Sequence, residues 1–295
     1  RDADVTGVQT CALPIYSWLK ITPLVINNDN DFYLLSGIMP TISIPTNYLV
    51  SMNKKYSLFC LPSAGSSASM YGLWSKYATD WLSVYPIEYP GHGTRCNEAL
   101  IDNVDSLVGD VLEQILSITK ENIILFGHSF GAALIWHLIK SLKQLKLERN
   151  IELVVLSGRP ETSTLRNAVV HPSQWSQETI LDKAKNYGGI PQLIIDDTEI
   201  LTFFLKILQN DLCVNEDLIN NDKLILERPL WVIIGNDDQV TTPHSVEMWK
   251  FWTTQWKGIT SFPGGHFFLR DEDTIRKIIY GIQEIIFNCK KCKEY

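Results

Sequence analysis

Residues 123–133 read Ile-Ile-Leu-Phe-Gly-His-Ser-Phe-Gly-Ala-Ala, and this stretch decides the fold. The apolar run 123–126 predicts a buried strand, Gly127-His128-Ser129-Phe130-Gly131 an abrupt turn, and 132–143 a helix. That is G-x-S-x-G in the strand–turn–helix setting that gives the motif its chemistry. Such a turn holds the serine in a strained backbone conformation with its hydroxyl exposed. The positions two before and two after it crowd each other, and both are glycine here. The helix behind Ser129 supplies backbone N–H groups and a partial positive charge, which suit a developing oxyanion.

A serine hydroxyl is a poor nucleophile at neutral pH; it needs a base, and the base needs an orienting acid. In sheets built around such a turn, the acid and then the histidine follow the serine in chain order, each after a strand. Pro229-Leu-Trp-Val-Ile-Ile-Gly235 reads as a strand running into Asn236-Asp237-Asp238. Residues 259–262 read as a shorter strand before Pro263-Gly264-Gly265-His266-Phe267-Phe268. Taken singly, Asp238 could terminate a strand and His266 could be a packed loop histidine. Their joint order makes Ser129, Asp238 and His266 the candidate triad. Asp238 is favoured because it lies three residues past Gly235; Asp237 is the reserve.

Acyl transfer also needs a second backbone donor, from the loop after an early strand. Tyr56-Ser-Leu-Phe-Cys-Leu61 reads as that strand, and Pro62-Ser63-Ala64-Gly65-Ser66-Ser67-Ala68 as a loop of small residues that lets a substrate oxygen approach. The N–H groups of Phe130 and Ala64 are the candidate oxyanion hole.

Several stretches taken in order make the chain similar to the type II thioesterases of nonribosomal peptide and polyketide synthesis, within the α/β-hydrolase superfamily. Phe59-Cys-Leu-Pro-Ser-Ala-Gly-Ser-Ser-Ala68, with Tyr71 and Trp74, resembles that family's F-x-x-P-x-A-G-G-S-A opening. Tyr89-Pro-Gly-His-Gly-Thr-Arg95 resembles its P-G-R-G-x-R, Gly127 to Gly131 its G-H-S-F-G, and Ser157-Gly-Arg159 its S-G-R. Trp249-Lys-Phe-Trp-Thr253 and Phe262-Pro-Gly-Gly-His-Phe-Phe268 resemble W-x-x-x-T and G-G-H-F-F. The chain departs from the pattern at Ser63 and Ser66, where His and Gly are usual. It departs again at His92, in place of Arg, which reads as tolerable surface chemistry.

The resemblance covers about residues 55–287. It implies a serine hydrolase that removes wrong or stalled acyl groups from the phosphopantetheine arm of acyl or peptidyl carrier proteins, with no metal and no bound cofactor. The alternatives are a medium-chain fatty acyl thioesterase, an esterase on small esters, or a non-catalytic binding module of the same fold. Because such carriers tend to be acidic around the arm and this chain is acidic too, docking is expected to be weak and largely apolar, through a lid. Arg159 and Arg166 are possible local positive contacts, or solvated or structural residues.

The wider pattern agrees. Strands near 56–61, 84–88, 123–127, 151–157, 229–235 and 258–262 alternate with helical patterns near 70–81, 104–119, 130–143, 243–253 and 273–287. That alternation predicts an α/β fold with a mostly parallel central sheet flanked by helices. Residues 160–225 interrupt it without a buried strand but with helical stretches at 176–186 and 197–210, the place for a helical lid insertion. Its Leu201, Phe203, Phe204, Leu205 and Leu208 could line an acyl channel, although packing the lid onto the core is the better reading for most of them.

Expected domain bounds are a leader over 1–50, a hydrolase domain over 51–290 and a tail over 291–295. Residues 1–15 resemble a translated sequencing-adapter read-through more than natural protein, and they lack the layout of a signal peptide. Met39 or Met52 is a candidate start, and 1–50 is expected to be poorly ordered or peripheral. A net charge of −7 argues against nucleic acid as a partner, and no run of eighteen uninterrupted apolar residues predicts a membrane span. Six cysteines in a chain of 295 residues make no dense disulfide framework, so reduced thiols in the cytoplasm are expected. Cys289-Lys-Lys-Cys292 lacks a second half-site and reads as charged tail rather than a metal or redox centre.

Overall fold

The computed structural model describes residues 24–26, 32–34, 55–165, 168–219 and 224–291. The chain divides into two units, Arg1–Met52 and Asn53–Tyr295. In the first, Leu24–Ile26 and Phe32–Leu34 pair antiparallel; the expected leader otherwise lies outside the described residues, as do Arg166 and the end of the tail. The remaining description concerns the second unit.

Its frame is a six-stranded sheet of β1 (Tyr56–Leu61), β2 (Leu82–Pro86), β3 (Ile123–His128), β4 (Ile151–Ser157), β5 (Leu226–Gly235) and β6 (Thr253–Phe262). The spatial order is β2-β1-β3-β4-β5-β6, and every pairing is parallel. The inner strands read as unbroken apolar runs because both faces of a covered parallel sheet are dry. Successive residues alternate between two apolar layers. Leu125, Val154, Leu156 and Val232 pack under α1 (Val104–Ile118) and α2 (Phe130–Gln144). Ile124, Phe126, Val155 and Ile233 pack with Trp74 and the inner face of α6 (Glu272–Lys291) on the other side.

Where boundaries depart from expectation, single residues explain the difference. Residues 70–81 do not form one helix but a 3-10 turn, Ala68–Tyr71, and one α-turn, Trp74–Tyr77, parted at Gly72 and Leu73. Gly72 and Leu73 keep helical backbone angles between the two turns, and the extended Ala78 ends the segment short of 81. β5 begins at Leu226 rather than 229, and its pairing with β6 is irregular beside Pro229, which lacks an N–H to donate. β6 extends back to Thr253 although its residues are polar, because an edge strand has only one neighbour to bury it. The 243–253 segment is α5 (Pro243–Glu247) continued by a 3-10 turn, Met248–Trp252.

The insertion at 160–225 is helical, with no strand among its described residues. It contains α3 (Gln177–Asn186), a short turn Gln192–Ile195 and α4 (Thr198–Asp217), which runs past the expected 210. Asp197 starts α4 by accepting the Glu199 and Ile200 amides. The two helices share a small apolar core of Ile180, Ala184, Leu205 and Leu208. No described helix is long and apolar enough to cross a membrane.

The strand order positions the site. The chain leaves β1 to one side for β2 and returns on the other side for β3, so the connections leaving the adjacent carboxyl ends of β1 and β3 run apart. In open parallel sheets that divergence makes the crevice where ligands bind. The loop bearing Ala64 follows β1, and Ser129 follows β3.

Candidate active site

Ser129 sits between β3 and α2 with φ 54 and ψ −108, a positive-φ conformation rare for a side-chain-bearing residue. The turn closes so tightly that a Cβ on Gly127 would come within 2.5 Å of the Gly131 carbonyl, and one on Gly131 within 2.2 Å of the Leu61 carbonyl oxygen. Glycine at both positions is a steric requirement. The half-buried Ser129 carries strain that the surrounding backbone holds in place, including its own amide, which donates to the Ser157 carbonyl at 2.8 Å.

Asp238 and His266 come from the loops after β5 and β6. His266 Nδ1 donates to Asp238 Oδ2 at 2.9 Å, and both side chains are buried. Asp238 Oδ1 accepts the Val240 amide at 2.8 Å, and Oδ2 also accepts from the Thr241 hydroxyl. Burial works to raise the Asp238 pKa, but the His266 hydrogen bond and charge, with Thr241 and the Val240 amide, hold the carboxyl below its ordinary value. Asp237 is exposed; its amide donates to the Gly264 carbonyl in the histidine-bearing loop at 3.0 Å, and its carbonyl accepts from the Gln239 side chain at 3.2 Å. Of the two aspartates, the structure places Asp238 against the ring.

Ser129, Phe130, Ala64 and His266 line one cavity of about 180 Å³. With Nδ1 engaged by Asp238, the ring leaves Nε2 for a reacting proton; no hydrogen bond joins Ser129 to His266 among the described residues. The Phe130 and Ala64 amides have no acceptor among the described residues, whereas the neighbouring Ser129 and Gly65 amides do. Ser63 is buried and bonds Ser66 Oγ at 2.8 Å, so the two departures from the family opening compensate one another within the loop.

Some participants carry no sequence signal strong enough to find them. His128 lies fully buried beside His266, ring centroids 4.8 Å apart, and bonds Ser157 Oγ through Nδ1 at 2.9 Å. Burial, reinforced by the His266 ring, pushes its pKa well below the ordinary value and keeps it neutral. Gly158, at φ +58, leaves room for both rings: a Cβ there would lie 2.7 Å from His128 and 3.2 Å from His266. Tyr187 of the lid reaches the cavity, its ring 5.9 Å from that of His266.

One expectation is corrected and one alternative selected. Of the two readings of Arg159, the structure fits the structural one: the residue is buried, lines the cavity and donates to Asn215 Oδ1 at 2.7 Å. Burial, opposed by the Glu216 charge, pulls its guanidinium down to about 10. His92 is not on the surface either; it is 3% exposed and bonded to Asp211 of α4 at 3.0 Å. The lid residues divide between the two readings offered for them. Phe204 and Leu208 line the cavity, Leu205 packs inside the lid, and Phe203 lines a wider groove of about 840 Å³ that shares Ser66, Gly189 and Phe204 with the cavity. Among the described residues no group of three or more His, Cys, Asp or Glu could hold a metal ion.

Known proteins carry the same frame. The model of the thioesterase domain family matches residues 56–285. A probable cadicidin biosynthesis thioesterase of Streptomyces griseus is 32% identical over 212 residues, which span 72% of this chain and 58% of that protein. The medium-chain S-acyl fatty acid synthase thioesterase of Rattus norvegicus is 26% identical, over 74% of this chain and 83% of its own. The crystal structure of ClbQ, from the colibactin NRPS/PKS pathway, superposes with a TM-score of 0.72 at 22% identity, covering 81% of this chain and all (100%) of that one. The match runs from the first strand of the sheet into its last helix and takes in every residue of the cavity described above, and the chain belongs to the thioesterase domain family.

Proposed function

We propose that this protein is a type II editing thioesterase: a serine hydrolase that cleaves acyl groups from the phosphopantetheine arm of carrier proteins in nonribosomal peptide or polyketide synthesis. The observation that carries the chemistry is the convergence of Ser129, the free amides of Phe130 and Ala64, and the Asp238-bound His266 on one cavity. His266 Nε2 takes the Ser129 proton as Oγ attacks the thioester carbonyl. The two amides stabilise the tetrahedral oxyanion, and Asp238 stabilises the imidazolium through Nδ1. The C–S bond then breaks, and the imidazolium protonates the departing thiolate. In the second half, His266 draws a proton from water as it attacks the acyl-serine, and collapse returns that proton to Ser129 Oγ and releases the acid.

The carrier-borne substrate is supported by the run of motifs from Phe59 to Phe268 and by the biosynthetic relative from Streptomyces griseus. A medium-chain fatty acyl thioesterase is the second reading, supported by the rat relative. The two separate on one comparison: the same acyl group offered on a carrier protein and on coenzyme A. Carrier preference by about tenfold or more in kcat/KM is expected, because docking energy beyond the arm adds to transition-state binding. Equal values on both would remove the carrier-specific reading.

The lid offers the apolar docking surface. Leu193 is 83% exposed and Phe203 49% exposed, beside the groove. Leu193→Ser with Phe203→Ser is expected to raise KM for the acyl carrier by about tenfold, as loss of two apolar anchors would, and to leave turnover of a small nitrophenyl ester unchanged. Equal losses on both substrates would mean that these residues support the catalytic core, and docking through the lid would be abandoned.

A further inference from the structure

Asp211 is an acidic residue in the middle of the lid helix α4, yet only 2% exposed. Its Oδ2 accepts two hydrogen bonds, from the Gly65 amide at 2.7 Å and from His92 Nε2 at 3.0 Å. The other ring nitrogen, His92 Nδ1, lies 2.9 Å from the Pro90 carbonyl oxygen. A carbonyl oxygen and a carboxylate oxygen both accept, so satisfying both contacts requires a proton on each nitrogen, and His92 is an imidazolium. A buried ion pair thus ties three segments together: α4, the loop after β1, and the 89–95 loop.

Burying two charges costs more than filling the same space with apolar side chains, so the pair calls for a role other than stability. Its position supplies one. The Gly65 N–H that Asp211 holds lies in the peptide plane of the Ala64 carbonyl. The contact therefore fixes the C-terminal side of Ala64 and, through that residue's backbone torsions, constrains the preceding plane that carries the Ala64 N–H, the proposed oxyanion donor. Gly65 itself has φ +70, and a Cβ there would stand 3.2 Å from both Phe204 and Leu208, so glycine lets α4 seat directly on the loop.

We propose that Asp211, charge-paired with His92, is a positioning residue for the oxyanion hole: it fixes the Gly65 amide and so aims the Ala64 N–H into the cavity only while α4 is seated. This rests on the serine mechanism proposed above. It makes electrophilic assistance conditional on a closed lid, so that an open, wet site is a poor hydrolase. The groups facing His92 are Asp211 on α4, and the Glu88 carboxylate and Tyr89 ring of the loop after β2. Burial works against the charge, but the Asp211 hydrogen bond and charge, the Pro90 carbonyl and Glu88 outweigh it and raise the His92 pKa above 6.5. A pKa raised on folding stabilises the fold below the unfolded value, and that contribution is lost as pH rises through the folded value. The strut should therefore weaken on the alkaline side.

The test uses the full chain, a soluble acyl thioester, an acyl trifluoromethyl ketone that adds Ser129 to form a tetrahedral oxyanion, and a thioether that mimics the ground state. Asp211→Ala should lower kcat and trifluoromethyl ketone affinity together by about 30-fold, somewhat less than deleting an oxyanion donor outright. Its thioether affinity should stay within about twofold, since the ground state makes little use of the hole. Asp211→Asn keeps an acceptor for Gly65 and should lose only about fivefold, a variant that remains informative if the alanine form fails to fold. His92→Arg keeps the cation without titrating near neutrality, and should retain kcat while flattening the alkaline decline. Equal losses of both ligands in a folded variant, or unchanged trifluoromethyl ketone affinity, overturn the positioning role. So does an alkaline decline that persists in His92→Arg. Retained turnover in Ser129→Ala would overturn the serine mechanism and the strut together, whereas an inactive Ser129→Ala beside a fully active Asp211→Ala overturns the strut alone.

Discussion

Ser129→Ala and His266→Ala are each expected to lower thioester hydrolysis by about 10⁴-fold or more, the scale on which a serine triad fails when one member is removed. Without Oγ no acyl-enzyme forms, and what remains is the hole formed by Phe130 and Ala64 acting on water. Without the imidazole, the Ser129 proton has no acceptor at neutral pH, so the two losses should be nearly equal and the double variant little worse than either. Neither change should unfold the protein. Ser129 Oγ makes no hydrogen bond among the described residues, and alanine tolerates the φ of 54 no worse than serine does. His266→Ala removes a buried ring and its bond to Asp238, so a lowered melting temperature is expected there and not in Ser129→Ala. Labelling by a fluorophosphonate should vanish in Ser129→Ala. Turnover above a tenth of the parent value in either variant would show that the nucleophile or base lies elsewhere.

Much of this arrangement is legible in the sequence because its determinants are local. Gly127, Ser129 and Gly131 sit within five positions, and the steric need for small residues on both sides of the serine is visible without a third dimension. The buried strands are legible because a covered parallel sheet demands continuous apolar runs such as 123–126. Ala64 is placed by the kind of loop that holds it. The less readable features are those that depend on distant partners. Asp211 looks like one more acid on a surface helix until α4 is laid across the Gly65 loop, 146 positions away in the chain. His92 looks like a surface residue and Arg159 stays ambiguous because charged side chains are usually exposed; their burial follows from Asp211 and Asn215, both on α4. Edge strand β6 hides for a different reason: four of its ten residues are exposed, and it carries no strand-like apolar pattern.

The choice between adjacent aspartates gives the second large effect. Asp238→Asn is expected to lower kcat by about 10³- to 10⁴-fold, with little change in KM, while Asp237→Asn stays within about twofold of the parent. Asparagine preserves the shape of the site and can still accept the Val240 amide, so the fold should survive. What it removes is the charge that stabilises the His266 imidazolium and the acceptor that fixes the proton on Nδ1. An amide NH₂ turned toward Nδ1 would favour the opposite tautomer and leave Nε2 protonated, unable to take the Ser129 proton. Asp237 offers no such leverage, since its side chain is exposed and its contact with the histidine loop is made by its backbone amide, which Asp237→Asn retains. A stability readout sharpens the assignment. The Asp238 carboxyl is held below its ordinary pKa in the fold, so its contribution is present at neutral pH and is lost as pH falls through the lowered folded value. The melting temperature of the parent should therefore fall on acidification more steeply than that of Asp238→Asn, while Asp237→Asn should track the parent. A crippled Asp237→Asn beside an active Asp238→Asn would transfer the acid role to Asp237, and the His266–Asp238 contact would then have to be structural.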